Sequence, residues 1–109
     1  MSDMEYKFTS ENFEKEVLQS DIPVMVDFYA DWCGPCKMMA PLVADLAESY
    51  SGKCKIGKCN TDENPELGRE FKIMSIPTFL FFKDGRVVDT VIGAVSKNEL
   101  EEKIKQVLA

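Results

Sequence analysis

Two cysteines separated by two residues are the part of this sequence best suited to chemistry. Cys33 and Cys36 lie in Trp-Cys-Gly-Pro-Cys, directly after the apolar run VMVDFYA and directly before a stretch with helical periodicity. A cysteine at the beginning of a helix lies beside unpaired backbone N–H groups and the positive end of the helix dipole, which favour the thiolate. Because thiolates attack disulfides, the pattern predicts that Cys33 is a nucleophile and that Cys36, one turn later, is the resolving thiol.

The rest of the composition narrows the chemistry that this pair can do. The chain of 109 residues contains no histidine, which removes the commonest general base and a common zinc ligand. Its net charge is −6, and its 13 Lys and Arg residues form no basic run. Such a charge argues against binding to nucleic acid or to an anionic membrane. Thiols and carboxylates must therefore carry any reaction.

The N-terminal stretch MSDMEYKF contains acids and no apolar core, so we expect no secretory signal. Apolar runs elsewhere are short, and we expect no membrane span. In a protein that is not exported, four cysteines indicate redox or metal chemistry more often than a structural disulfide framework. These features predict a cytoplasmic protein.

The segments around the cysteine pair alternate between strand and helix patterns. We predict strands at 6–8, 24–30, 54–59, 78–82 and 86–92, the last two joined by a turn at Asp84 and Gly85. We predict helices that begin after Thr9 or Ser10, at Pro35, after Asn64 and after Ser96. This order predicts a single α/β domain over residues 1–109, with a mixed sheet of about five strands and about four helices on its two faces.

The second predicted helix carries the cysteine pair and should be partly buried. Pro41 lies inside it, and we expect a kink there and not a helix end. Helical spacing predicts a core-facing stripe of Met38, Met39, Leu42, Val43, Leu46 and Ala47.

Four blocks, VDFYADWCGPCKMMAP, KCNTDENP, IPTFLFFKDG and VIGAVSK, resemble the thioredoxin family, and the resemblance covers nearly the whole chain. It implies a thioredoxin fold and a protein disulfide reductase that reduces client proteins with the Cys33 and Cys36 dithiol. The chain has no glycine fingerprint for a nicotinamide or flavin, so we expect no bound cofactor. An external thioredoxin reductase would then regenerate the dithiol. A monomer is the default expectation.

The resemblance also implies that Asp27 is a buried carboxyl that manages the proton of the resolving thiol. Independent support comes from its place in the apolar run VMVDFYA, because burial would raise its pKa toward neutrality. The alternative is a solvated strand acid. Lys58 stands where the family has a lysine near that aspartate, although it could equally be an ordinary lysine near a strand end.

At Ile76–Pro77 the resemblance implies a cis-proline beside the cysteines, preceded by backbone that pairs with substrate like an added strand. It further implies a flat apolar surface that docks partners. Gly93 belongs to this implied surface, although it could also be a simple strand-end glycine. Tyr29 departs from the family pattern, because many members have tryptophan there. The implied docking residues are Trp32, Gly34, Pro35, Ile76, Pro77, Ile92, Gly93 and Ala94.

The resemblance implies no role for the two remaining cysteines, Cys54 and Cys59. In a strand they would lie about 16 Å apart on opposite faces, too far for a disulfide. They could be small buried side chains, or one of them could be a regulatory thiol.

Three other functions fit parts of the pattern. The four cysteines could form a zinc site, but the second pair lacks the usual two-residue gap. The chain could be a passive binding module with the same fold, although the intact WCGPC sequence argues against this. It could also be an oxidant or isomerase, but these relatives usually carry a histidine or a charge between the cysteines.

Overall fold

The computed structural model describes residues 3–109; Met1 and Ser2, which open the stretch predicted not to be a secretory signal, lie outside the described residues. Five strands form one sheet in the order β1-β3-β2-β4-β5. Strands β1, β2 and β3 are parallel to one another, whereas β4 and β5 run antiparallel to their neighbours. The predicted mixed sheet of five strands is confirmed. Their bounds are β1 Tyr6–Lys7, β2 Val24–Tyr29, β3 Lys55–Asn60, β4 Thr78–Lys83 and β5 Arg86–Ile92.

Helices cover both faces of this sheet, as predicted. They are a short π-helical segment, Glu14–Leu18, and three α-helices, α1 Gly34–Ser49, α2 Pro65–Glu70 and α3 Lys97–Leu108. Helices α1 and α3 pack on the face that carries Met25 and Phe79, here called the α1 face. The π-helical segment and α2 pack on the face that carries Val26 and Leu80, here called the α2 face. Alternation along β2 and β4 therefore divides the core into two layers.

No helix in residues 3–109 is long and apolar enough to cross a membrane. That one domain spans all of residues 1–109 stays a prediction.

Helix α1 continues through Pro41, so the proline does not end the helix. The kink itself stays a prediction. The prediction that Met38 faces the core is wrong, because its side chain is 74% exposed. Cys36, Met39 and Val43 are buried at helical spacing, and Met38 falls outside that stripe.

The hairpin turn and the last helix cap follow the predictions. Asp84 and Gly85 have φ angles of 54° and 77°, the left-handed values that a tight hairpin turn requires. At the start of α3, Ser96 Oγ accepts a hydrogen bond of 3.1 Å from the backbone N–H of Glu99. This bond satisfies one of the free N–H groups at the helix N-terminus.

Asn64 occupies the N-cap position of α2, as predicted, but its side chain makes no capping hydrogen bond with that helix. Its Oδ1 accepts a hydrogen bond of 2.9 Å from the backbone N–H of Ser10, and its Nδ2 donates one of 3.0 Å to the carbonyl of Asn60. The side chain thus ties α2 to the loop that follows β1.

Strand β1 lies unusually close to β3 at Gly57. A Cβ atom added to Gly57 would lie 2.6 Å from Tyr6 Cβ and 2.6 Å from the Tyr6 carbonyl oxygen. Only a glycine leaves room for this approach. Glu5 directly precedes β1 and is thus the neighbour of Tyr6 in the chain.

Candidate active site

Cys33 and Cys36 lie where the chain passes from β2 into α1. Cys33 occupies the N-cap position of the helix, and the two cysteines are joined as a disulfide with a Cα–Cα distance of 5.2 Å. The backbone N–H of Cys36 donates a hydrogen bond of 3.2 Å to Cys33 Sγ. Both residues are buried. The Cys33 sulfur therefore sits among the N–H groups of the first helical turn, a position that stabilises a thiolate once the disulfide is reduced.

Other loops meet the disulfide at the same end of the sheet. Since β2 and β3 are parallel, the segment after β3 lies beside the segment after β2, and Trp32 Nε1 donates a hydrogen bond of 2.9 Å to Asp62 Oδ2. Strand β4 is antiparallel to β2 and therefore begins at this end. The carbonyl oxygen of Ile76 lies 3.8 Å from Cys33 Sγ. One backbone acceptor thus borders the sulfur that was predicted to be the nucleophile.

The Ile76–Pro77 peptide bond is cis, as the family resemblance implied. The carbonyl of Pro77 accepts a hydrogen bond of 2.8 Å from the backbone N–H of Gly93. Gly93 has a φ angle of +92°, which other residues rarely adopt. A glycine at the end of a strand can adopt this conformation, and the docking role of Gly93 stays a prediction.

The residues predicted to form a docking surface lie on three neighbouring segments around the disulfide. Trp32 and Ile92 are large apolar side chains with exposed fractions of 71% and 65%. Gly34, Pro35 and Ala94 are also exposed, Ile76 and Gly93 are half-buried, and Pro77 is buried. An exposed apolar surface of this kind is typical of a protein interaction site.

Asp27 is buried on the α1 face of β2, and the alternative of a solvated strand acid is wrong. Its Oδ1 has no hydrogen-bond partner among the described residues. Burial, reinforced by the charge of Glu5, raises the pKa of Asp27 to about 7, although Lys58 opposes the shift. Asp27 and Cys36 line the same cleft, which has a volume of about 320 Å³. A carboxyl with this pKa can exchange protons near neutral pH.

Lys58 is the register partner of Asp27 in the pairing of β2 with β3. It is half-buried and lines the same cleft. Its Nζ atom lies 5.6 Å from the centre of the Tyr29 ring, a distance typical of a cation–π contact. Tyr29, which stands where many members of the family have tryptophan, thus packs against Lys58.

Cys54 and Cys59 are free and buried on opposite faces of the sheet, as predicted. Burial raises the pKa of each thiol to about 12. The described residues contain no group of three or more His, Cys, Asp or Glu side chains that could hold a metal ion. The four cysteines do not converge on one point, which is the geometry that a zinc site would require.

Comparisons with known proteins agree with this geometry. The sequence profile of the family described as Thioredoxin matches residues 5–106. Thioredoxin 1 of a Nostoc species is 51% identical over 98 residues, which cover 90% of this chain and 92% of that protein. Thioredoxin 1 of Synechococcus elongatus is 55% identical over 92 residues, which cover 84% of this chain and 86% of that protein. The chain belongs to the thioredoxin family. It has the thioredoxin fold and is a thiol–disulfide oxidoreductase.

A third relative is the chloroplastic M-type thioredoxin of Spinacia oleracea. It is 49% identical over 98 residues, which cover 90% of this chain and 54% of the spinach protein. One relative of this chain is therefore named as a chloroplast protein.

Three residues for which the sequence predicted no role lie at the site. Asp62 holds the Trp32 indole, and Met74, with an exposed fraction of 92%, lines a second cleft together with Trp32 and Ile76. Glu5 lines the cleft of Asp27. The alternation of EYKF could have indicated that Glu5 lies on the face opposite Tyr6. Nothing in the sequence indicated the partner of Trp32.

Proposed function

We propose that this thioredoxin-family protein reduces disulfides in client proteins with Cys33 as nucleophile and Cys36 as resolving thiol. The observation that supports this assignment most directly is the position of Cys33 Sγ at the N-terminus of α1, where it accepts a hydrogen bond from the backbone N–H of Cys36. Cys36 has no such position, because it lies within the helix.

In the first step the Cys33 thiolate attacks one sulfur of a client disulfide. An S–S bond forms between Cys33 and the client, the client disulfide breaks, and the other client sulfur leaves as a thiolate that takes a proton. In the second step Cys36, after it loses its proton, attacks Cys33 Sγ. The mixed disulfide breaks, the client leaves fully reduced, and Cys33 and Cys36 are oxidised to the disulfide.

We assign to Asp27 the acceptance of the Cys36 proton in the second step. Three observations support this assignment: Asp27 lines the same cleft as Cys36, it is buried, and its pKa is about 7. A carboxyl must be partly ionised at working pH to act as a base. Lys58 has a positioning role, since its positive charge favours the ionised form of Asp27.

We assign client docking to the exposed surface around the disulfide. An extended client segment would contact Trp32 and Ile92 and pair with the backbone at Ile76. Gly34, Pro35, Gly93 and Ala94 have small or compact side chains, so client backbone can approach Cys33. Pro77 supports this surface from beneath.

An external thioredoxin reductase supplies electrons in this proposal, and the chain works as a cytoplasmic monomer without a cofactor. The buried free thiols of Cys54 and Cys59 are compatible with a reducing compartment.

Reduction of insulin by a small dithiol, followed by turbidity, tests the proposal. The parent protein should accelerate precipitation, Cys33→Ser should abolish the acceleration, and Cys54→Ala should retain it. A passive binding module would not accelerate precipitation in any form. The reduction potential of the purified protein distinguishes a reductant from an oxidant or isomerase, since a value near those of protein oxidants would contradict the reductase assignment.

A further inference from the structure

A second carboxylate, Glu5, opens onto the cleft that contains Asp27. Glu5 directly precedes β1 and is half-buried. The sheet order β1-β3-β2 puts Lys58 of β3 between the strand that carries Asp27 and the segment that carries Glu5. All three side chains and Cys36 line the same cleft. One lysine therefore lies between two acids, beside the resolving cysteine.

Among the described residues, Lys58 forms no close ion pair with Asp27 or with Glu5. The close ion pairs among residues 3–109 involve Lys55, Lys97 and Lys103. Asp27 Oδ1 is buried without a hydrogen-bond partner in the same part of the chain. Because Oδ1 makes no hydrogen bond that would fix the protonation state of Asp27, the charges across the cleft influence that state strongly.

The two neighbouring charges act on Asp27 in opposite directions. The negative charge of Glu5 raises the pKa of Asp27, and the positive charge of Lys58 lowers it. Burial also raises the pKa of Glu5 itself, while Lys58 opposes that shift. These effects are those expected from the strand order, in which Lys58 is shared.

We propose that Glu5 is a positioning residue for the resolving step: it divides the charge of Lys58 between two carboxylates and so keeps Asp27 basic enough to take the proton of Cys36. The proton passes from the Cys36 thiol to the Asp27 carboxylate and then to solvent in the cleft. This inference rests on the proposed role of Asp27. Glu5 touches neither client nor sulfur and acts only through Asp27.

Other ionisable groups also face Asp27 and must stay constant in a test. Asp31 and Lys37 line the same cleft, Tyr29 borders it, and Cys59 lies across the sheet on the α2 face. A substitution confined to Glu5 leaves all of these groups unchanged.

The test uses the oxidised protein, in which Cys33 and Cys36 do not titrate. The carboxyl carbon of Asp27 is followed by NMR between pH 4 and pH 10 in the parent, in Glu5→Gln and in Glu70→Gln. Glutamine has the size of glutamate, and each variant removes one negative charge; Glu70 is exposed at the end of α2. We expect Glu5→Gln to lower the titration midpoint of Asp27 by about half a pH unit or more, because a like charge has been removed. Glu70→Gln should leave the midpoint unchanged.

A kinetic measurement separates this inference from the proposed function. The rate at which the reduced protein releases a client from the mixed disulfide is measured against pH. Glu5→Gln should move the midpoint of this profile to lower pH, and should have no further effect when Asp27→Asn is already present. An unchanged NMR midpoint in Glu5→Gln overturns the role of Glu5 even if Asp27→Asn slows release. If Asp27→Asn releases the client as fast as the parent at every pH, the role of Asp27 fails, and the role of Glu5 fails with it.

Discussion

The backbone N–H of Cys36 donates a hydrogen bond of 3.2 Å to Cys33 Sγ. The bond places the two cysteines in different electrostatic positions although they belong to the same disulfide. Cys33 faces the open N-terminus of α1, whereas Cys36 faces the cleft of Asp27. This difference supports the proposal that one sulfur attacks a client and the other releases it.

The first prediction follows from this division. Cys36→Ser should accumulate a mixed disulfide between Cys33 and a client, because the resolving thiol is missing, and Cys33→Ser should accumulate none. Non-reducing electrophoresis after incubation with an oxidised client measures the adduct. Cys59→Ala is the control and should behave like the parent. Equal trapping by Cys33→Ser and Cys36→Ser would contradict the assignment of roles.

The second prediction concerns stability and pH. Burial raises the pKa of Asp27 from 3.8 to about 7, so between these values the folded protein holds a proton that the unfolded chain has released. This stabilisation is fully present below about pH 4 and is lost as the pH rises through about 7. The free energy of unfolding should fall by about 1.4 kcal/mol per pH unit in this interval, about 4 kcal/mol in all.

Denaturant unfolding of the oxidised protein at pH 5 and pH 8 tests this expectation. Asp27→Asn should lose most of the pH dependence and should be more stable than the parent at pH 8, by about 2 kcal/mol or more. Asp21→Asn is a matched control, because Asp21 is exposed. The explanation fails if the curves of Asp27→Asn and the parent remain parallel.

The third prediction concerns the packing of β1. Gly57→Ala should destabilise the protein by about 2 kcal/mol or more, because its Cβ would overlap the backbone and Cβ of Tyr6. Gly68→Ala is the control: Gly68 lies in α2 with no atom within 4 Å of an added Cβ. This second substitution should stabilise the protein by about 0.5 kcal/mol or more. Equal effects of the two alanines would show that the contact with Tyr6 does not constrain β1.

The fourth prediction concerns the free thiols. After reduction, two thiols should react rapidly with a thiol reagent at neutral pH, and Cys54 and Cys59 should react only after denaturation. All four cysteines are buried, so the difference comes from the thiolate fraction: the pKa of about 12 of Cys54 and of Cys59 leaves very little thiolate at pH 7. Time-resolved absorbance with a chromogenic disulfide counts the thiols. A third rapid thiol in the native protein would favour the regulatory alternative for Cys54 or Cys59.

Local patterns were sufficient to predict most of the fold. The short apolar runs of β2 and β4 predicted buried strands, and Asp84–Gly85 predicted the hairpin because few other pairs adopt positive φ angles at both positions. The capping residue Ser96 predicted where α3 begins. These signals involve residues close together in the chain, and short-range sterics determine them.

The departures from the sequence predictions have different physical causes. Asn64 has the correct residue type for a helix cap, but the backbone of Ser10 competes for its side chain. Met38 and Met39 are adjacent in a helix and therefore point in different directions, and the buried stripe that contains Met39 leaves Met38 exposed. The position of Glu5 near Asp27 depends on the order of the strands, which a single sequence does not contain.

The distribution of cysteines over the two faces limits which bonds can form during turnover. Cys59 lies on the α2 face, on the side of the sheet opposite α1. Cys54 directly precedes β3, at the end of the sheet remote from the disulfide. Neither sulfur can reach Cys33 or Cys36 while the sheet is intact. Each catalytic cycle can consequently form only one intramolecular disulfide, the one between Cys33 and Cys36. Neither free thiol can form an inactive disulfide with one of these two cysteines.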